Sequence, residues 1–206
     1  MKSSRFLRIL AFATVIVLVG WLLLTLWAEA EGPAKSWTFG PDSLRQSVLI
    51  VYDPDPFYDL DEQVCRAFGE AMEDSGLRGT VATVAAARAL KDKDFSVYVF
   101  CANTYNWSPD WAVDNFIRGD VALKAKPVVA ITLGAGSTEW SKEALDKVIG
   151  LRGAMLIDSK SFWLWRPNDK SRVADDNVQV ACEAVYDWGL ELMDELEPYL
   201  KDDSAE

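Results

Sequence analysis

Hydrophobic and polar positions divide this chain into one long apolar block and then a regular alternation of short apolar runs with amphipathic segments. Ile9–Ala28 carries no charged residue, and its 20 positions would span roughly 30 Å as a helix, the thickness of a bilayer core. Ser47–Tyr52, SVLIVY, is a short run of Val, Leu and Ile bounded by turn residues, a pattern that predicts a strand buried on both faces. Thr80–Val84, Phe95–Phe100, Pro127–Leu133 and Ala154–Ile157 read as four further strands. A helix is predicted over Leu60–Ser75, with Val64, Phe68, Ala71 and Met72 on one face and Gly76 as its stop. Ala85–Lys91 reads as a short helix or turn, and Trp111–Lys124 as an amphipathic helix burying Trp111, Phe116 and Val121. Helices at Thr138–Ile149 and Asp176–Leu200 complete the set, the last burying Val178, Ala181, Val185, Trp188 and Leu192. Five strands alternating with helices predict an α/β domain: a doubly wound, five-stranded parallel sheet in the order 2-1-3-4-5, covered on both faces.

The organisation follows from the same pattern. Residues 1–30 form an N-terminal membrane anchor or uncleaved signal, 31–46 a linker with Gly, Pro and Ser, 47–200 the folded domain and 201–206 an acidic tail. Lys2, Arg5 and Arg8 precede the apolar block and Glu29 follows it, which predicts a single span with the domain on the non-cytoplasmic side. Ala28-Glu29-Ala30 also fits a signal-peptidase site, but the apolar run is longer than a usual signal core. Both readings place the domain outside the cytoplasm.

Charge and composition then narrow the chemistry. From Ala30 onward 18 basic residues stand against 31 acidic ones, a net charge of −13 that disfavours nucleic acid. The sequence has no histidine, which removes His-based acid/base catalysis, Ser-His-Asp and Cys-His nucleophiles and His-ligated metals. Cys65, Cys101 and Cys182 have no metal-ligand spacing. They suit small core positions, and a Cys65–Cys182 disulfide is the alternative in an oxidising compartment.

The strands and their loops resemble the flavodoxin family over Ser47–Leu200. VLIVY is similar to that family's first strand, SVYVFCANTYNWSP to its third strand with the following flavin loop, and KPVVAITLGAGS to its fourth strand with a glycine-containing turn. The resemblance implies a flavin site at the carboxyl edge of the sheet, FMN as cofactor and electron transfer as the activity. It places candidate cofactor contacts at Asn103, Thr104, Tyr105, Asn106 and Trp107 in the third-strand loop, and at Gly134, Ala135, Gly136 and Ser137 in the fourth. Each group also has a structural reading: Tyr105 and Trp107 could close the loop against the domain, the Asn residues could shape a turn, and the glycines could form a plain strand-to-helix turn. Phe162, Trp163 and Trp165 lie in a predicted loop, Ser159–Asp175, at the same edge, as a flavin cover, a docking group or a hydrophobic plug.

The first loop departs from the family. Where FMN binders have a Ser/Thr- and Gly-rich turn, this chain has DPDPFYD over 53–59. Pro54 and Pro56 have no N–H to offer, and Asp53 and Asp55 would repel a phosphate. Asp59 is expected to cap the following helix, its carboxylate taking the amides near Asp61 and Glu62. The D-x-D-x-x-x-D spacing suggests a hard cation but lacks the glycine and distal Glu of a calcium loop, and turn formation explains it as well. Two functions follow. One is a membrane-anchored, flavin-related electron-transfer module with an atypical phosphate loop. The other is a cofactor-less binding or scaffold module, with a redox or envelope protein as partner.

Overall fold

A computed structural model describes residues 2–44 and 46–200; the predicted acidic tail at 201–206 lies outside the described residues. The chain divides into two compact units, 1–30 and 31–206. The first is the helix α1 (Lys2–Ala28), whose stretch Phe6–Ala28 is long and apolar enough to cross a membrane.

In the second unit the strands are β1 (Ser36–Phe39), β2 (Ser47–Tyr52), β3 (Arg78–Thr83), β4 (Val97–Tyr105), β5 (Ser108–Pro109), β6 (Pro127–Gly134) and β7 (Met155–Trp163). The helices are α2 (Leu60–Asp74), α3 (Val84–Ala87, prolonged by a 3₁₀ turn, Arg88–Leu90), α4 (Trp111–Asn115, prolonged by a π turn, Phe116–Asp120), α5 (Glu139–Leu151), α6 (Asn177–Glu191) and α7 (Met193–Leu200). The parallel strands run β3-β2-β4-β6-β7, which is the expected order 2-1-3-4-5. All six residues of β2 are buried, as a strand with neighbours on both sides and helices on both faces requires. One core lies under α2, α6 and α7 and includes Val64, Phe68, Val185 and Trp188. The other lies under α3, α4 and α5 and includes Phe100, Phe116 and Leu145. Cys65, Cys101 and Cys182 are all free thiols, the first two fully buried, so they serve as core residues and form no Cys65–Cys182 bridge.

Among the described residues the sheet has seven strands, not five, and the two additions have separate causes. Within 31–46, the stretch read as a linker, β1 pairs antiparallel with β3. Trp37 and Phe39 supply its inward face, and Gly79 leaves room for the Phe39 ring; a Cβ there would stand 2.3 Å from Phe39 Cζ. The other addition, β5, arises because β4 does not stop at Phe100. It runs on to Tyr105 and folds back through Asn106 and Trp107, both with positive φ (49° and 63°), the conformation of a two-residue hairpin turn. Asn tolerates that region; Trp does so at a cost.

Three other boundaries move. β7 continues through Trp163 into the predicted loop because an edge strand, with one neighbour only, accepts polar residues such as Ser159, Lys160 and Ser161. The helix that opens at Trp111 ends at Asp120 instead of Lys124, and Trp111 is exposed; Asp110 caps its start by accepting from Val113 N, so Ala112, Val113, Phe116 and Ile117 face inward. The last helix breaks at Leu192 into α6 and α7.

Candidate functional site

The carboxyl ends of the parallel strands bring together the loop after β2, the β4–β5 hairpin, the turn after β6 and the segment after β7. What the first of these can hold is decided by where its amides point. Asp61, in the first turn of α2 and 2% exposed, faces back into the loop. Its Oδ2 accepts from Asp55 N at 2.6 Å and its Oδ1 from Glu62 N at 2.7 Å. Asp55 Oδ1 accepts in turn from Phe57 N at 2.7 Å and Tyr58 N at 3.2 Å. With Pro54 and Pro56 between them, the loop's donors at 55, 57, 58 and 62 are therefore engaged by the chain's own carboxylates. These two aspartates sit where a phosphate would draw the same amides, and a dianion there would meet two like charges in a partly desolvated setting. A phosphate would have to compete with these carboxylates for the amides at 55, 57, 58 and 62.

This arrangement corrects the expected cap. Asp59 occupies the N-cap position of α2, but its side chain makes no cap hydrogen bond. Its backbone, at φ −111° and ψ 21°, lies outside the extended region from which a cap carboxylate reaches the N2 and N3 amides. Of the first amides of α2, Glu62 N is taken by Asp61, while Asp55 takes the loop amides of Phe57 and Tyr58 ahead of the helix.

Asn103, at the end of β4, ties the loop to the sheet. Its Nδ2 donates to Asp61 Oδ2 at 2.9 Å and to the Asp53 carbonyl at 3.0 Å, and its N–H donates to Asp110 Oδ2 at 2.9 Å. Asp53 Oδ1 accepts from Gly32 N at 3.0 Å, which fastens the segment leading into β1. Burial pushes both Asp53 and Asp61 up to about 6, against the hydrogen bonds that favour their charged forms.

The other predicted contacts separate into two groups. Asn103 is buried, and its Nδ2 and backbone N–H are engaged, so it clamps the loop to the sheet. Thr104 packs against Gly134: a Cβ on Gly134 would stand 2.7 Å from Thr138 Cγ2 and 3.2 Å from Thr104 Cβ, so this glycine admits neighbouring side chains. Gly136 faces Arg166 Cβ in the same sense, the Ala135 carbonyl accepts from Trp165 N and Arg166 N, and Ser137 Oγ donates to Glu139. Tyr105 turns its hydroxyl inward beside Asp55; burial first, and then that carboxylate, hold its phenol above the ordinary range. Asn106 and Trp107 form the hairpin tip, where Trp107 is 60% exposed.

The group from the last loop is split as well. Phe162 is core, and Trp163 donates from Nε1 to Thr138 Oγ1 at 3.0 Å beneath the Arg166 guanidinium. Trp165 stands 69% exposed and meets Tyr58 edge to face, ring centres 6.3 Å apart. Tyr58 and Trp165 thus form an exposed aromatic pair at this edge, and Trp107 is a third exposed ring, at the hairpin tip. The sequence reading passed over Tyr58, Asp61 and Asp110. Asp110 had a signal, an Asp directly before a helical pattern. Asp61 had none, since an acid in a first helical turn is ordinary.

No protein-family model and no curated protein matches the chain. Solved structures do. A flavodoxin from the domain Archaea matches with TM-score 0.58 and 11% identity, over 74% of this chain and 99% of that one. Flavodoxin 2 from Bacillus cereus matches with TM-score 0.57 and 12% identity, over 72% and 99%. The flavodiiron protein from Giardia intestinalis matches with TM-score 0.59 and 18% identity, over 76% of this chain and 37% of that one. At such identities the likeness is one of architecture, and it agrees with the strand order derived above: the domain formed by residues 31–206 has the flavodoxin-like fold.

Proposed function

We propose that this domain is a flavin-related redox module that grips a flavin by its ring system and not by a phosphate. The observation that carries the reading is the pairing of a first loop whose amides are held by Asp55 and Asp61 with three exposed aromatic rings, Tyr58, Trp107 and Trp165, at the same edge. A flavin, when bound, supplies one- or two-electron transfer. The chain's part is to offer flat apolar faces to the ring and to keep anionic groups away from the first loop. FMN held through its phosphate is not part of the reading.

Titrating the purified chain with FMN and with riboflavin, followed by flavin fluorescence, tests it. The expected result is binding of both with affinities within about tenfold, because the phosphate contributes nothing favourable. An FMN preference beyond about a hundredfold would mean that the loop does hold phosphate. The second reading, a cofactor-less module that binds a redox or envelope protein, is favoured by Gly134, whose open face is taken up by Thr104 and Thr138. It predicts that neither flavin binds and that substitution of Trp107 leaves the isolated protein unchanged.

The domain is proposed to be held at a membrane by α1, on the non-cytoplasmic side. Lys2, Arg5 and Arg8 before the apolar stretch support that orientation. An alkaline phosphatase fused after Glu206 should be active, and a fluorescent reporter that matures only in the cytoplasm should stay dark. The opposite pair of results would reverse the topology.

A further inference from the structure

At the opposite edge of the sheet, the amino-terminal ends of β2 and β3 border a cavity of about 190 Å³. Arg78, the first residue of β3, and Lys93 line it together with Phe39, Ser47 and Phe95. Arg78 Nε is buried and has no acceptor among the described residues. The guanidinium's ion pair is loose: Nη1 stands 3.9 Å from Asp42, whose carboxylate is fully exposed, so solvent screens most of the attraction. Lys93 bonds only through its backbone N–H, to the Leu90 carbonyl, and its ammonium has no ion pair among the described residues. The other acid in the wall, Asp94, is taken by Lys126 at 2.6 Å. In a domain of net charge −13 this cavity therefore holds two cations with little to neutralise them, and Phe39 and Phe95 are also in its wall.

The Nη end of a guanidinium presents a planar fork that matches a carboxylate, and the buried Nε, with no acceptor among the described residues, leaves the group short of hydrogen bonds. We propose that this cavity binds a small organic monocarboxylate with a flat apolar body, its carboxylate on Arg78 with Lys93 as second cation and its body against the apolar part of the wall, to which Phe39 and Phe95 contribute. The site is separate from the exposed rings at the carboxyl edge and independent of whether a flavin binds there.

Sodium benzoate is a suitable probe and benzamide its uncharged counterpart, each titrated into the full chain in neutral detergent while the amide resonances of Gly79 and Thr80 are followed. Saturable benzoate shifts are expected, with benzamide weaker by about tenfold or more. Arg78→Gln should weaken benzoate by about tenfold or more, and Arg78→Lys, which keeps the charge and loses the fork, by less. If Arg78→Gln does not fold, Lys93→Gln serves instead, with an expected loss of about threefold. Shifts that do not saturate, equal affinity for benzamide, or wild-type affinity in these variants would each overturn the assignment.

Discussion

Replacing Asp61 by Ala is expected to destabilise the domain by about 3 kcal/mol. The carboxylate accepts from Asp55 N, Glu62 N and Asn103 Nδ2, and its loss leaves three donors without an acceptor in a buried site. Each such orphan costs about 1–3 kcal/mol, and relief of the buried charge offsets part of the sum. Asp61→Asn keeps one acceptor oxygen and should cost about 1–2 kcal/mol. Denaturant unfolding followed by tryptophan fluorescence measures both; an Ala variant within 0.5 kcal/mol of wild type, the usual spread for surface changes, would show that Asp61 does not organise the loop.

The same residue carries a pH signature. Asp53 and Asp61, at about 6 in the folded domain against 3.8 for the unconstrained side chain, bind more protons folded than unfolded between those values. Stability therefore falls as pH rises from about 4 through 6, and acidification from pH 7 to 5 should stabilise the domain by roughly 2–3 kcal/mol from the two groups together. Glu62, Glu139, Asp169 and Glu183 are shifted the other way, so what they contribute is lost only at lower pH. In Asp61→Asn about half of the gain between pH 7 and 5 should disappear. A wild-type domain less stable at pH 5 than at pH 7 would contradict this account.

The largest single loss is expected from Trp188→Ala, about 3–5 kcal/mol. Trp188 is 3% exposed in the core beneath α2 and α6, with its ring centre 5.7 Å from that of Phe68 and 6.1 Å from that of Phe162. Truncation removes those contacts, opens a cavity and takes the Nε1 donor from Asp158 Oδ2, 2.8 Å away. Lys160 also loses the ring beneath its ammonium. Trp188→Phe keeps most of the ring volume and should cost about half as much or less. The measurement is the unfolding midpoint at constant slope with denaturant. A midpoint close to wild type for the Ala variant would mean that the α6 face does not anchor the sheet.

Much of the architecture was legible along the chain because it depends on local periodicity. The run at Ser47–Tyr52 cannot be satisfied at a surface, so a strand covered on both faces was the available outcome, and it is wholly buried. Val64, Phe68, Ala71 and Met72 fall on one helical stripe, and all four are buried in one core. Alternation of such strands and helices leaves few topologies, which is why the order of the five parallel strands could be stated in advance. The apolar stretch of α1 is similarly plain, since length and lack of charge are properties of the sequence itself.

The site was less legible because its determinants are pairings between distant residues. DPDPFYD announces by composition alone that few amides are free and that charge opposes a phosphate. That the engaging carboxylates belong to Asp55 and Asp61 rather than Asp59 depends on the backbone angles at residue 59, and on Asn103 arriving from β4, 42 positions beyond Asp61. Likewise β1 exists because Gly79 leaves a place for Phe39, and the hairpin after Tyr105 because Asn106 and Trp107 take positive φ. Sequence alone thus determined the long apolar N-terminal stretch, the parallel sheet and the acid character of the first loop, since periodicity, length and charge are additive along a chain. Tertiary structure alone decided which carboxylate meets which amide, which aromatics face water and where the uncompensated cations lie, because each of these is a contact between segments whose spacing in sequence carries no trace of it.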